Sequence, residues 1–179
     1  METKEKFGIS KLLIFVTFLA AVFVFITMFL DAAVITNSNG EVTSSIIGTD
    51  AAFGKSVFDW GLASGDINFN ILLALGYLLP VIGAVLLLIG GFVGGRKVAG
   101  ILSSILFLFF ILSAVAMFTL LSTTTVTASI LGVDTDPQAL SDLGAGYELS
   151  VYAMAAGAVA VVGAVGSLGV AISSLGRRD

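Results

Sequence analysis

The chain contains no cysteine and no histidine in 179 residues. Without cysteine there can be no disulfides, thiolate metal sites or cysteine nucleophiles, and the redox compartment is left open. Without histidine, the side chain that most often titrates near neutrality and ligates metals is missing too. Charge is scarce: Asp, Glu, Lys and Arg make up 11% of the residues, against roughly 25% in an ordinary soluble domain. Proline occurs twice and tryptophan once. No Asn-x-Ser/Thr acceptor is present, and the glycines near Gly94 lack the Lys-Ser/Thr of a phosphate loop. Gly54-Lys55-Ser56 lacks the upstream glycine in register. No catalytic residue, cofactor or metal is expected, and with a net charge of −4 no nucleic acid partner either.

What the chain does have is hydrocarbon. Hydrophobic residues make up 58% of it and the mean hydropathy is +1.11. They gather into four runs, Leu12 to Leu30, Ile71 to Val93, Val98 to Leu121 and Leu149 to Leu175, each long enough to approach or exceed the roughly 20 helical residues that cross a bilayer core. The expectation is an integral membrane protein of the all-α class. Its form would be a four-transmembrane-helix bundle built as two tandem helical hairpins, with a small extracellular cap holding a possible β-hairpin and short interfacial helices. The segments would be a tail 1–11, spans 12–33, 69–93, 98–121 and 148–175, loops 34–68 and 122–147, a turn 94–97 and a tail 176–179. The first run exceeds a signal-peptide core, and Leu30-Asp31-Ala32 is a poor cleavage site.

Basic residues set the expected orientation. Lys4, Lys6, Lys11, Arg96, Lys97, Arg177 and Arg178 fall at one end of the runs and Lys55 alone at the other, which places both termini and the middle turn in the cytoplasm. Asp31, Glu41, Asp50, Asp59, Asp66, Asp134, Asp136, Asp142 and Glu148 then face outward. Such an acidic face fits growth in high salt or attraction of cations. None of the four runs holds an Asp, Glu, Lys, Arg or His, which argues against a proton- or ion-coupled transporter and against an intramembrane hydrolase. Asp134-x-Asp136-x-Gln138 begins like a calcium loop, but Ala139 and Ala145 replace its glycine and its bidentate glutamate. Helix capping explains these acids better.

Along the chain, Phe15, Phe18, Val22, Phe25 and Phe29 form a helical stripe. Ala33 to Thr36 and Glu41 to Ser44 flank Asn37-Ser38-Asn39-Gly40, which predicts a hairpin. Phe53, Val57, Trp60 and Gly61 follow helical spacing and predict a short amphipathic helix at the membrane surface. Phe53, Phe58 and Trp60 are its candidate interfacial anchors or partner contacts. Pro80 predicts a bend in the second span. Ser122 to Thr127 reads as a strand that could join the first hairpin, and Asp136-Pro137 as the start of a surface helix through Leu143.

Small residues mark the second and fourth spans. Gly76, Gly83, Gly90 and Gly94, with Gly157, Gly163 and Ser167, are the candidate helix-packing residues, because backbones in lipid associate through close approach. Ser45-Ile46-Ile47-Gly48-Thr49-Asp50 matches Ser129-Ile130-Leu131-Gly132-Val133-Asp134, and both halves end in a basic step, at Arg96-Lys97 and Arg177-Arg178. This suggests an internal repeat related by an axis along the membrane normal. On that scheme the second and fourth spans meet at the centre.

The order of parts resembles claudin-type tetraspan proteins: a longer first outer loop with β-prone residues and a tryptophan, then a shorter second one. Trp60-Gly61-Leu62 departs from that family's Gly-Leu-Trp order, and its two loop cysteines are absent. The expected role is structural: lateral association with itself or with other membrane protein subunits, surrounded by membrane lipids. The alternatives are a homo-oligomeric channel or transport component and, on the resemblance, a claudin-like adhesion or barrier protein.

Overall fold

The computed structural model describes residues 2–143 and 146–175. Met1, Ala145 and the second basic step, Gly176-Arg177-Arg178, lie outside the described residues. In chain order the elements are α1 (Glu2–Thr27), β1 (Asp31–Thr36), β2 (Val42–Ile47), α2 (Gly48–Phe53), β3 (Lys55–Asp59), β4 (Ala63–Ile67), α3 (Ile71–Val93), α4 (Gly95–Phe118), α5 (Leu120–Thr123), β5 (Thr125–Ile130), β6 (Val133–Asp134), β7 (Gln138–Ala139), a 3-10 turn Leu140–Asp142, β8 (Tyr147–Leu149) and α6 (Val151–Leu175).

Among the described residues, three helices, α3, α4 and α6, are long and apolar enough to cross a membrane. At 1.5 Å per residue their 23 to 25 residues span about 35 to 38 Å, more than a hydrocarbon core of about 30 Å. In α1 the described apolar stretch is shorter, Lys11–Thr27. The helix stops at Thr27 and the chain enters strand β1 at Asp31, so residues 31–33 belong to a sheet and not to a first span. Membrane character stands, but the expected set of four spans reduces to three.

The all-α expectation is wrong, because the segments between helices fold into two antiparallel sheets. One has the order β2-β1-β8; the other has β3-β4-β5-β6, with β7 also on the free side of β5. The β1–β2 hairpin lies where Asn37 to Gly40 predicted it. Asn37 Oδ1 accepts from the backbone N–H of Asn39 and Glu41, both at 2.9 Å, and Gly40 has φ +80°, the left-handed geometry that glycine tolerates. The third strand of that sheet is β8, paired through Ala33 with Leu149. Of the Ser/Thr tract, Ser122 and Thr123 fall in helix α5 and Thr125 to Thr127 open β5, which pairs with β4 from Ala63 opposite Ile130 to Ile67 opposite Val126. The predicted surface helix around Trp60 is the β3–β4 hairpin. The predicted helix after Asp136-Pro137 is strand β7 and one 3-10 turn. Pro137, which has no N–H to give, falls in the gap between β6 and β7 along one edge of β5.

Nor does local structure support the repeat. Gly48 of the first matching hexapeptide opens helix α2, whereas Gly132 of the second sits in a strand-to-strand turn at φ +78°.

The long helices form a ring in which α4 lies between α3 and α6, and α1 closes against both of them. Helices α3 and α6 therefore stand across from each other. The sequence-based pairing of the two small-residue spans is overturned, and the physical reason is complementarity: each small face receives bulky side chains. Tyr77, Phe110, Leu106, Leu87 and Met117 fill the interior and are fully buried. Both sheets grow from the same ends of the helices, since α1 and α4 lead into them and α3 and α6 leave them. The opposite end holds the α3–α4 turn, where Gly95 takes φ +73° and Arg96 and Lys97 are exposed.

Candidate interaction surface

Six of the seven small residues singled out on the second and fourth spans lie inside the chain's own packing, and Gly94 is exposed at the α3–α4 turn. A methyl group added at Gly83 would sit 2.9 Å from Phe109 Cδ2, one at Gly76 2.7 Å from Ala116 Cβ, and one at Gly157 2.8 Å from Phe118 Cζ. Gly163 faces the Phe110 ring, Gly90 the Leu102 side chain and Gly94 that of Val98. Ser167 is buried and donates to Ala164 O at 2.9 Å. Both α3 and α6 thus offer notches for side chains of α4, and closely fitting dispersion contacts hold helices together where lipid removes the hydrophobic driving force. A face filled this way is not free to receive another molecule.

The three aromatic candidates do not come together. Phe53, on α2, pairs with Phe69 at a centroid distance of 6.4 Å near the start of α3. Phe58 and Trp60 pair at 5.2 Å at the far end of β3. That far end is the most apolar exposed feature outside the helices. The β3–β4 turn brings up Trp60 and Leu62, and the β5–β6 turn brings up Leu131 and Val133; they are 80, 70, 72 and 70% exposed. Ile130 is exposed beside them.

Backbone bonds hold this tip in shape. Trp60 N–H donates to Ala63 O at 2.9 Å and closes the first turn, while Asp59 Oδ1 accepts from Gly61 N–H at 2.8 Å. Leu131 N–H donates to Leu62 O at 2.7 Å and ties the second turn to the first. Phe58 covers Gly65, where a methyl would lie 2.5 Å from the ring, so the aromatic pair rests on the sheet at a position that admits no side chain.

One residue of the tip is strained. Leu131 has φ +55° and is followed by Gly132 at +78°, and Ile130 pairs with Val133 around them. This is the two-residue hairpin with both central residues left-handed, which Asn-Gly fits far better than Leu-Gly. Leucine there carries about 1 kcal/mol of strain, and its side chain gains little burial in return.

Polar links anchor the sheet to the helices. Asn68 Nδ2 donates to Thr125 Oγ1 at 3.0 Å and Thr127 Oγ1 at 2.9 Å. Asn70 Nδ2 donates to the hydroxyls of Thr123 and Thr124, each at 3.1 Å, while its Oδ1 caps α3 by accepting from Leu73 N–H at 3.1 Å. The Ser150 hydroxyl reaches Asp31 O and also accepts from Ala153 N–H at the start of α6. Two carboxylates, Asp59 and Asp134, adjoin the tip residues in sequence, and Asp66 and Asp136 lie further along the sheet; all four are exposed. Lys55, the lysine of this sheet, is held by Asp50 at 2.7 Å.

Leu62, Ile130, Leu131 and Val133 were not singled out from the sequence. Two signals were present. Trp60-Gly61-Leu62 puts two large apolar residues around a glycine, and Leu131-Gly132 sits between β-prone residues where turn chemistry calls for Asn or Asp. Among the described residues, no group of three His, Cys, Asp or Glu side chains could hold a metal ion. Compared with family models, curated proteins and solved structures, the chain shows no match.

Proposed function

We propose that this membrane protein is a structural or assembly subunit that associates with other membrane protein subunits through its sheet-bearing end. The observation that carries this reading is the rigid apolar tip of Trp60, Leu62, Leu131 and Val133, held out from the fold by hydrogen bonds. Exposed contiguous apolar surface outside a lipid-facing region marks a contact site. The filled glycine notches support the same assignment by exclusion, since the helix faces expected to drive lateral association are occupied within the chain. Outward residues such as Ile82, Leu86, Leu108 and Val165 would meet lipid.

In this proposal the sheet end is extracellular and the α3–α4 turn cytoplasmic, supported by exposed Arg96 and Lys97 at the turn and by the acids at the sheets. The role is non-enzymatic. A conducting path through the helices has less support, because Ser103 and Ser167 bond to their own helix backbone within a packed interior.

The test is affinity isolation from native membranes with wild type, Trp60→Ser and Leu62→Ser. A stoichiometric companion that the wild type retains and both variants lose supports the proposal. Companions unchanged in the variants, or absent throughout, count against it.

A further inference from the structure

We infer that the tip formed by the β3–β4 and β5–β6 turns docks a protein partner presenting an apolar recess bordered by lysine or arginine side chains. This rests on the reading that the sheet end makes the chain's contacts, and it specifies the chemistry of the partner.

Backbone strain gives the first reason. A hairpin whose second turn residue is left-handed glycine would fold more easily with Asn before it, yet position 131 is a leucine at φ +55° that points most of its surface to solvent. Neither local conformation nor burial rewards it. A strained, exposed apolar residue supported by its neighbours points to recognition, and Leu131 is supported by its bond to Leu62 O.

Charge gives the second reason. Asp59 adjoins Trp60 in sequence and Asp134 adjoins Val133, with Asp66 and Asp136 further down the same sheet, all exposed. The sheet's lysine, Lys55, is already paired with Asp50. A second copy docking tip to tip would set these carboxylates against each other. Like-charge juxtaposition disfavours wrong partners as strongly as complementarity selects right ones. An apolar tip flanked by carboxylates is complementary to an apolar recess bordered by cations.

Placement gives the third. The β3-β4-β5 sheet makes no more than glancing contact with the long helices. Its strands leave the helix ends at Ile67 and Thr125 and reach the tip at Ala63 and Ile130, so the apolar turns lie at the end of the sheet remote from the helices. Immersing the tip in a bilayer would also draw Asp59 and Asp134 toward headgroup depth.

Trp60 is the chain's single tryptophan, so its emission reports on the site alone. The full chain in nanodiscs of zwitterionic lipid is titrated with a tryptophan-free amphipathic peptide of leucine and lysine, and with a matched peptide of leucine and glutamate. Expected is a saturable blue shift with the lysine peptide, at least about tenfold weaker with the glutamate peptide and suppressed by salt. Leu131→Asn and Leu62→Ser should weaken it about tenfold without lowering thermal stability. Equal responses to both peptides, a salt-insensitive response or no response would overturn the assignment. So would blue emission before any peptide is added, whether quenched by brominated lipid, which identifies the bilayer as occupant, or dependent on protein density, which identifies a second copy. If the peptides fail while Trp60→Ser still loses its companion in native membranes, the partner's chemistry is wrong and the contact role survives. If both fail, the contact role falls as well.

Discussion

Single side chains decide where this molecule spends and recovers stability. Asn70 does two jobs: it caps α3 through Leu73 N–H and hooks Thr123 and Thr124, which follow the neighbouring helix α4. Losing a cap costs about 1 kcal/mol, and leaving the buried Thr124 hydroxyl without its donor adds about 1 kcal/mol or more. Asn70→Ala should therefore destabilise by about 2 to 3 kcal/mol in denaturant unfolding from detergent micelles. Asn70→Asp keeps the cap and loses the hooks, so it should lose less. An alanine variant within about 0.5 kcal/mol of wild type would remove Asn70 from this role. At Leu131 the sign reverses. Leu131→Asn relieves left-handed strain and gives up little burial, so it should stabilise by about 1 kcal/mol and raise the melting temperature. A lower melting temperature would show that the exposed leucine makes contacts that its 72% exposure hides.

At the scale of elements, the fold rests on notch-and-knob packing between helices of unlike character. Gly163 on α6 receives Phe110 of α4, and Phe110 is fully buried. Filling the notch with Gly163→Leu should cost about 1 to 3 kcal/mol through overpacking. Truncating the knob with Phe110→Ala should cost about 3 to 5 kcal/mol. Together they should cost clearly less than their sum, because the new leucine occupies the space the ring leaves. Strict additivity would mean that these two residues do not share a contact.

Much of this packing was legible in the sequence and some was not. Small-residue periodicity picked out Gly83 and Gly163 as close-approach positions, but it could not say whether the approaching group would be another small face or a ring. The apolar density of the runs located α3, α4 and α6. It also overstated the first span, expected over 12–33, because α1 stops at Thr27 and residues 31–33 belong to strand β1. Helical spacing of Phe53, Val57 and Trp60 misled, because Gly54 at φ +82° breaks the chain between α2 and β3. From there the edge-strand pattern of Lys55 to Asp59 takes over, set by pairing with β4, which is itself held by the distant strand β5 that no local window contains. The Ser/Thr tract was read as one β-prone stretch, but Ser122 and Thr123 end helix α5 and only Thr125 to Thr127 enter β5, whose partner is β4 and where Asn68 meets Thr125 and Thr127.

For the whole molecule, three helices among the described residues are long and apolar enough to cross a membrane, and the sheets at one end are where contact with other proteins is proposed. A packed interior of Phe110, Leu106, Tyr77 and Met117 leads to a further expectation. Liposomes carrying the protein should hold ions and small solutes as tightly as empty ones, and protein-dependent leakage would favour a conducting assembly. The most direct measurement is quenching of Trp60 emission in reconstituted bilayers, with a water-soluble quencher compared against brominated acyl chains. If the tip stands clear of the membrane to meet a partner, the aqueous quencher should act strongly and the lipid quencher should not. Strong quenching by brominated chains with protection from the aqueous reagent would put the tip in the bilayer and contradict that role.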